Sequence, residues 1–531
     1  VTSALVAILL LVSAADVQAA APKPVLPPDL DVFVARTLRE FEVPGLALAV
    51  VKDGQPLLLK GYGVRRLGST ASVGPNTLFG IASNTKAFTA AALAMLVDEG
   101  KLAWDDPVTK HLPAFQLYDP YVTRELTVRD LLTHRSGMGL GAGDLLFFPT
   151  STFTRDEIVE RLRFIKPATS FRSKYAYDNC LYLVAGQIVP ALTGQSWDAF
   201  VKTRILDPLG MTTSNTSVSA LPPDGDVATP HSLANKVVTP VAPHSLDNNA
   251  PAGGINSSAA EMSRWVLAQL EGGAYRDAEG HEKRLFSAAQ SREMWTAQTL
   301  LPIADPPKEL QGLRARFAAY GLGWGLRDYR GRKLVSHTGG LLGMVSQVML
   351  VPEEKLGIVV LTNQEQGGAF RAVTWRILDH FLGAPPVDWI AGFKAASARD
   401  VAEAQQAVEK QAKARVADSK PALPLASYCR RYRDPWYGEV AIGMEEGKPV
   451  IRFSRSPSLV GDLEHWQYDT FVARWRDRSL NADAFVTFAL GPDGSIDRMK
   501  MAPVSPLTDF SFDFQDLLFT PVAEAKDEAA K

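Results

Sequence analysis

Between Leu78 and Gly100 the chain leaves almost no polar face: Ala87, Ala90, Ala91, Ala92, Leu93, Met95 and Leu96 come in close succession. A helix that is apolar all round has to be enclosed. The run therefore predicts a central buried helix, stopped at Gly100, with the rest of the fold packed around it. Its first turn carries Ser83-Asn84-Thr85-Lys86, the one S-x-x-K in the chain. Residues three apart on a helix are neighbours, about 5–6 Å between Cβ atoms. A lysine in such a setting loses its water, which favours the neutral amine, and that amine can take the proton of Ser83. The first turn also aims unpaired N–H groups outward, where an oxyanion would sit. S-x-x-K arises by chance about once or twice in a chain of this length, so the pair needs support from elsewhere.

Size leaves room for that support. The chain has 531 residues, enough for two or three domains. A formal net charge of -2 without long blocks of one sign gives no basis for nucleic-acid binding or electrostatic membrane attachment. Ala4 to Val12 is an apolar run of signal-peptide length followed by small residues at Ala14-Ala15 and Ala19-Ala20-Ala21. It falls well short of the ~20 residues that span a bilayer. Residues 1–21 therefore read as a signal peptide, and the protein as periplasmic or secreted. Cys180 and Cys429 make no disulfide framework and read as two separate thiols, a bridge being the alternative.

Residues 28–385 predict an α+β domain. An amphipathic helix around Asp29 to Glu42 leads into a hairpin, Leu46 to Val51 and Pro56 to Val64, about Lys52-Asp53-Gly54. A long helical and loop-rich middle follows, with the Gly-heavy stretch Gly137 to Gly143, a tight turn at Pro251-Ala252-Gly253-Gly254 and a capping box at Ser258 to Glu261. Strand signals return at Tyr320 to Leu326 and Lys333 to Thr338. A second hairpin, Met344 to Val351 and Leu356 to Leu361, precedes a helix from Ala369 to Leu382. Strands at both ends predict one antiparallel sheet flanked by helices, with a helical subdomain inserted between its halves. Residues 386–424 read as an exposed helical linker, 425–521 as a smaller all-β domain, sandwich or barrel, and 522–531 as a solvated tail.

Two further segments carry chemistry. Tyr177-Asp178-Asn179 is the one Y-x-N in the chain; a phenol beside a cation can relay protons, and Asn179 could hold a substrate amide and steady Lys86. Ser336-His337-Thr338-Gly339-Gly340 lies on a strand, where glycines would let substrate backbone approach and the Gly340 N–H would pair with that of Ser83 as an oxyanion hole.

With Ser83/Lys86, Tyr177/Asn179 and His337/Thr338/Gly339 in that order, residues 30 to 383 resemble the class C β-lactamase and penicillin-binding protein family of serine hydrolases. Leu131 to Gly137, Pro208 to Met211, Ala252 to Gly254, Tyr320 to Trp324 and Leu361 to Asn363 add to the likeness. From Tyr428 onward the chain is similar to the lipocalin-like β-domain appended to some peptidases and esterases of that family. The resemblance implies acyl transfer: Ser83 as nucleophile, Lys86 and Tyr177 moving protons, and Asn179, His337, Thr338, Gly339 and Gly340 binding substrate or oxyanion. It needs neither metal nor organic cofactor, takes a small-molecule or peptide substrate, and allows a homo-oligomer. His134 matches a position that looks structural. Two departures stand out: Asp178 replaces the usual Ser, and His337 replaces the Lys with which β-lactamases grip a carboxylate.

The expectation is an exported serine hydrolase of amide or ester bonds, foremost a peptidase on D-residue-containing or otherwise unusual linear peptides. The alternatives are a carboxylesterase, a β-lactamase or D-Ala-D-Ala carboxypeptidase, and a non-catalytic penicillin-binding sensor.

Overall fold

A computed structural model describes residues 24–523. The signal peptide and most of the solvated tail expected from the sequence lie outside the described residues. The larger unit is built on an eight-stranded antiparallel sheet. Its order from one edge is Gln55–Gly63, Gly45–Lys52, Leu356–Thr362, Met344–Val351, Arg332–Leu341, Gly325–Tyr329, Ala318–Tyr320 and Thr299–Leu300. The N-terminal hairpin thus joins the C-terminal one, with Leu46 opposite Thr362 and Lys52 opposite Leu356.

Both faces of the central strands are covered, and the period-2 alternation of side chains divides them. Leu46, Leu48 and Val50 face a layer made by helices Leu30–Glu40 and Gly367–Phe381. Ala47, Ala49 and Val51 face the other core, which holds helices Thr85–Asp98 and Ala259–Leu270. The helical subdomain fills the chain between the two groups of strands, as expected. Every residue from Thr85 to Leu96 is buried, Phe88 stacking on Trp265 at 3.8 Å.

Several local expectations are corrected. Tyr320 to Leu326 is two strands with a break, because Gly323 turns at φ +77 and packs so closely on the buried helix that a Cβ would come within 2.8 Å of the Lys86 carbonyl oxygen. The expected tight turn at Pro251 is one turn of helix, Ala250–Gly253. Ser258 does cap its helix by accepting from the Glu261 N–H, but the Glu261 carboxylate does not return the bond; it accepts from Thr213 and Ser214 instead. Helix Trp389–Ala414 is exposed only in part. Trp389, Ile390, Phe393 and Ala396 are buried against the sheet's outer helix layer, and the Trp389 indole donates to Asp379 at 2.9 Å.

Residues from Arg431 to Pro521 form a closed barrel of eight strands in chain order, all antiparallel, Tyr432 meeting Pro521 to complete the ring. Aromatic side chains fill it, Phe453 against Trp475 at 5.8 Å and Phe471 against Phe488 at 5.8 Å, both edge to face. The barrel is docked on the larger unit through a shared apolar core that includes Phe148, Phe153, Tyr437 and Phe512. Polar contacts seal the junction: Arg455 reaches Thr152 and Glu157, and Arg161 donates to the Trp436 carbonyl.

Candidate active site

Ser83 precedes the α-helix rather than lying in it. Ala82–Asn84 is a single 3-10 turn, the α-helix begins at Thr85, and Ala82 takes a left-handed φ of 48°. Strained backbone of this kind at a non-glycine residue is held by its surroundings. Here Asn84 donates to the Ser346 hydroxyl at 2.8 Å, and Ser346 donates to the Ile81 carbonyl at 2.7 Å. Opposite, a Cβ at Gly339 would lie 2.2 Å from the Ile81 oxygen. Gly339 therefore lets the strand close on the nucleophile's own turn, not on a substrate backbone. The expectation for Gly339 is corrected accordingly. Gly340 and Thr338 are exposed and line the cleft, and a Cβ at Gly340 would meet nothing within 4 Å.

The Lys86 ammonium nitrogen has three partners: Ser83 Oγ at 3.0 Å, Asn179 Oδ1 at 2.7 Å and the Ala252 carbonyl at 2.9 Å. The last two can only accept. A neutral amine gives its two N–H groups to them and turns its lone pair to the Ser83 hydroxyl. Burial lowers the amine to about 7, opposed by the nearby carboxyls of Asp144 and Asp178. Both forms of Lys86 are thus within reach near neutral pH, as a general base requires.

The Tyr177 ring lies 4.9 Å from Lys86 Nζ. Burial pushes its phenol well above the ordinary range, although a hydrogen bond with Ser83 pulls the other way. It is therefore a protonated donor beside the nucleophile. Asn179 has both ends engaged, Oδ1 with Lys86 and Nδ2 with Asp144 Oδ2 at 2.8 Å. It steadies the amine, as expected, from a position on the wall of the cleft. Asp178 caps helix Cys180–Thr193 by accepting from the Leu181 N–H, and burial raises its carboxyl to about 7. His134 is structural: its Nδ1 accepts from the Asp178 N–H at 3.0 Å, which fixes the Tyr177 loop. Cys180 and Cys429 are both free thiols.

His337 is locked in one uncharged form. Its Nδ1 faces the Thr338 carbonyl at 2.6 Å and must carry the hydrogen, while Nε2 accepts from the Tyr320 hydroxyl at 2.8 Å. Burial, with Lys86 adding to it, lowers the imidazole to about 3. The cleft over these groups has a volume of about 1610 Å³ and runs from Ser83 along helix Trp389–Ala414 to the barrel.

A family model described as Beta-lactamase matches residues 32–382. The chain belongs to the Beta-lactamase family of serine hydrolases. A second model, a domain of unknown function, matches residues 414–521 and so takes in the barrel. The unguisins hydrolase of Aspergillus campestris is 28% identical to this family member over 489 residues, covering 88% of each chain. Protein flp of Staphylococcus aureus is 27% identical over 343 residues, 63% of this chain and 62% of the relative. Among solved structures, the octameric penicillin-binding protein homologue from Pyrococcus abyssi superposes with a TM-score of 0.57 at 22% identity, over 92% of this chain and 99% of that one. The class C β-lactamase from Rhodobacter sphaeroides gives 0.54 at 22% identity, over 67% and 100%. These two speak to the fold.

Three members of the site escaped the sequence reading. The Ala252 carbonyl is backbone and carries no side-chain signal. Tyr320 stood in a family-like segment without a role. Asp144 was detectable as an acid just after the glycine stretch and before Leu145-Leu146-Phe147-Phe148, an unexplained charge in an apolar run. Among the described residues one cluster has metal-ligand spacing, Asp277, Glu279 and His281; Glu279 and His281 are exposed and none of the three lines the cleft. No described helix is long and apolar enough to cross a membrane.

Proposed function

We propose that the chain is an acyl-transfer peptidase acting on extended peptides of unusual composition. In this reading Lys86 takes the Ser83 proton as Oγ attacks the carbonyl. The N–H groups of Ser83 and Gly340 receive the oxyanion. The proton then passes by way of Tyr177 to the departing nitrogen, leaving an acyl-Ser83 that water hydrolyses by the reverse relay.

The observation that carries the peptide reading is the size and position of the cleft. At about 1610 Å³ it exceeds the ~300–1,000 Å³ of ordinary small-molecule pockets. Its walls come from the nucleophile domain, from Val401 and Gln405 on the long helix, and from Leu507 and Phe510 on the barrel. An extended chain fits such a trough better than a compact acid does. The relatives named unguisins hydrolases, alike over both domains, support the same class. Neutral His337 speaks against β-lactams and D-Ala-D-Ala termini, since it offers no fixed cation to their carboxylates. An ester would follow the same steps and is the second reading. The enzyme would work outside the cytoplasm, on the strength of Ala4 to Val12. The octameric homologue makes a homo-oligomer a fair expectation.

A panel of linear L- and D-peptides, aminoacyl anilides, p-nitrophenyl esters and nitrocefin tests the proposal. Peptide or anilide turnover that is lost in Ser83→Ala, in a variant of unchanged Tm, is the expected result. Nitrocefin or short-ester turnover alone would overturn the peptidase reading.

A further inference from the structure

The barrel sends one loop, between strands Ile496–Pro503 and Leu518–Pro521, into the larger unit. Its Phe510 meets the Tyr177 ring edge to face at 6.0 Å, and Phe512 meets Phe148 at 5.2 Å. The glycine stretch is the seat for this loop. Gly141 stands at φ +67, and a Cβ there would come within 2.8 Å of the Phe510 carbonyl; the Gly143 N–H donates to Asp513 at 2.8 Å. Buried Ser511 then donates to Asp144 Oδ2 at 2.8 Å.

That hydroxyl completes a continuous path: Ser511 to Asp144, Asp144 to Asn179, Asn179 to Lys86, Lys86 to Ser83. Each link constrains the next. An asparagine amide can sit either way round in its site, and its neighbours decide which end faces where. Lys86 needs the oxygen end. Asp144 Oδ2 secures this by accepting from Nδ2, and it can do so only as long as Oδ2 itself bears no proton. Ser511 gives Oδ2 a second donor, which disfavours a proton on that oxygen and leaves Oδ1, without a partner among the described residues, as the place for one. Burial holds the Asp144 carboxyl well above the usual carboxylate range, with Asn179, Ser511 and Lys86 pulling the other way.

We infer that Ser511 is a positioning residue supplied by the barrel: through Asp144 it fixes the orientation of the Asn179 amide and thereby keeps the Lys86 lone pair on Ser83. Without the hydroxyl, a protonated Asp144 can present an O–H to Asn179, whose amide then turns its N–H groups toward Lys86. Donor facing donor disfavours the ammonium and misaligns the amine. The inference rests on the serine acyl-transfer reading above and makes the appended domain part of the catalytic apparatus.

Other titratable groups surround the amine. Asp178, Tyr177 and Cys180 come from the Tyr177 loop and the helix after it, and His337 from the strand opposite. His134 faces it from the preceding loop, with Asp513 and Asp516 behind Asp144 on the barrel loop. Ser511→Ala changes none of them. The test is the rate at which a fluorophosphonate probe labels the full chain, measured against pH for wild type, Ser511→Ala and Ser511→Thr. Wild type should label at Ser83; failure there would sink the acyl-transfer reading itself. In Ser511→Ala the plateau should fall by about ten- to a hundredfold, the scale of a misplaced catalytic group. Its acid limb should also move to lower pH, with Ser511→Thr restoring rate and limb. A wild type that labels and a Ser511→Ala of equal rate and equal limb would overturn the inference. So would a Ser511→Thr as slow as Ser511→Ala with neither limb displaced.

Discussion

Lys86 and His337 stand on opposite walls of one site, both buried, both able to carry a positive charge, and they have been brought to different ends. Around Lys86 two pure acceptors and two nearby carboxyls, Asp144 and Asp178, oppose desolvation, and the amine comes to rest at about 7. Around His337 a hydroxyl and a carbonyl satisfy the ring without charge, and it falls to about 3. Burial lowers both to a similar extent, and what leaves one poised and the other inert is that an amine starts out far more basic than an imidazole. Proton transfer therefore belongs to the first wall, and shape and hydrogen bonding to the second.

The contrast is broken most severely by Lys86→Arg. A guanidinium is never neutral near pH 7, so fluorophosphonate labelling of Ser83 should fall by about 10³-fold or more, the scale of losing one member of a catalytic set. In the wild type the same charge sets the pH profile. The active form is the neutral amine, so kcat/KM should hold above about pH 7 and drop roughly tenfold per unit below it. A flat profile between pH 5 and 7 would assign the base elsewhere.

Making the second wall resemble a charged one is the next largest change. His337→Lys should lower KM for nitrocefin by roughly tenfold, the worth of one charge-assisted bond, while slowing peptide substrates that lack a carboxylate at that point. Asp178→Asn should leave the helix cap in place and relieve a buried carboxyl raised to about 7. With the folded value above the unfolded one, that carboxyl costs stability increasingly as pH rises from about 4 to 7. The variant should thus gain about 1 kcal/mol or more in denaturant unfolding at pH 8, and nothing near pH 4. Smallest is Tyr320→Phe, which leaves His337 Nε2 without its donor and should cost about 1 kcal/mol of transition-state stabilisation in kcat/KM.

How much of this could be read from the chain differs from element to element. The Ala- and Leu-rich run from Ala87 to Leu96 announces a buried helix because no other environment accepts it. The hairpins at Lys52-Asp53-Gly54 and Pro352 to Lys355 follow from local turn chemistry and alternation. The composition of Ala395 to Ala417 announces a helical linker, but not its start at Trp389 nor its docking, since those polar residues mask the anchor at Trp389 and Phe393. Gly339 and Gly323 read as glycines with a purpose, yet which backbone they admit depends on an element far off in sequence.

By itself the sequence determined which groups can do chemistry. Ser83, Lys86, Tyr177 and His337 owe their reactivity to bonds within each side chain, and the family resemblance their motifs carry implies acyl transfer. Tertiary structure alone decided their charge and aim. Burial, the Ala252 carbonyl, Asp144 and Ser511 converge on Lys86 from separate segments across hundreds of residues. Proton affinity depends on whatever surrounds a group in space, and that neighbourhood does not exist until the sheet has closed and the barrel has docked.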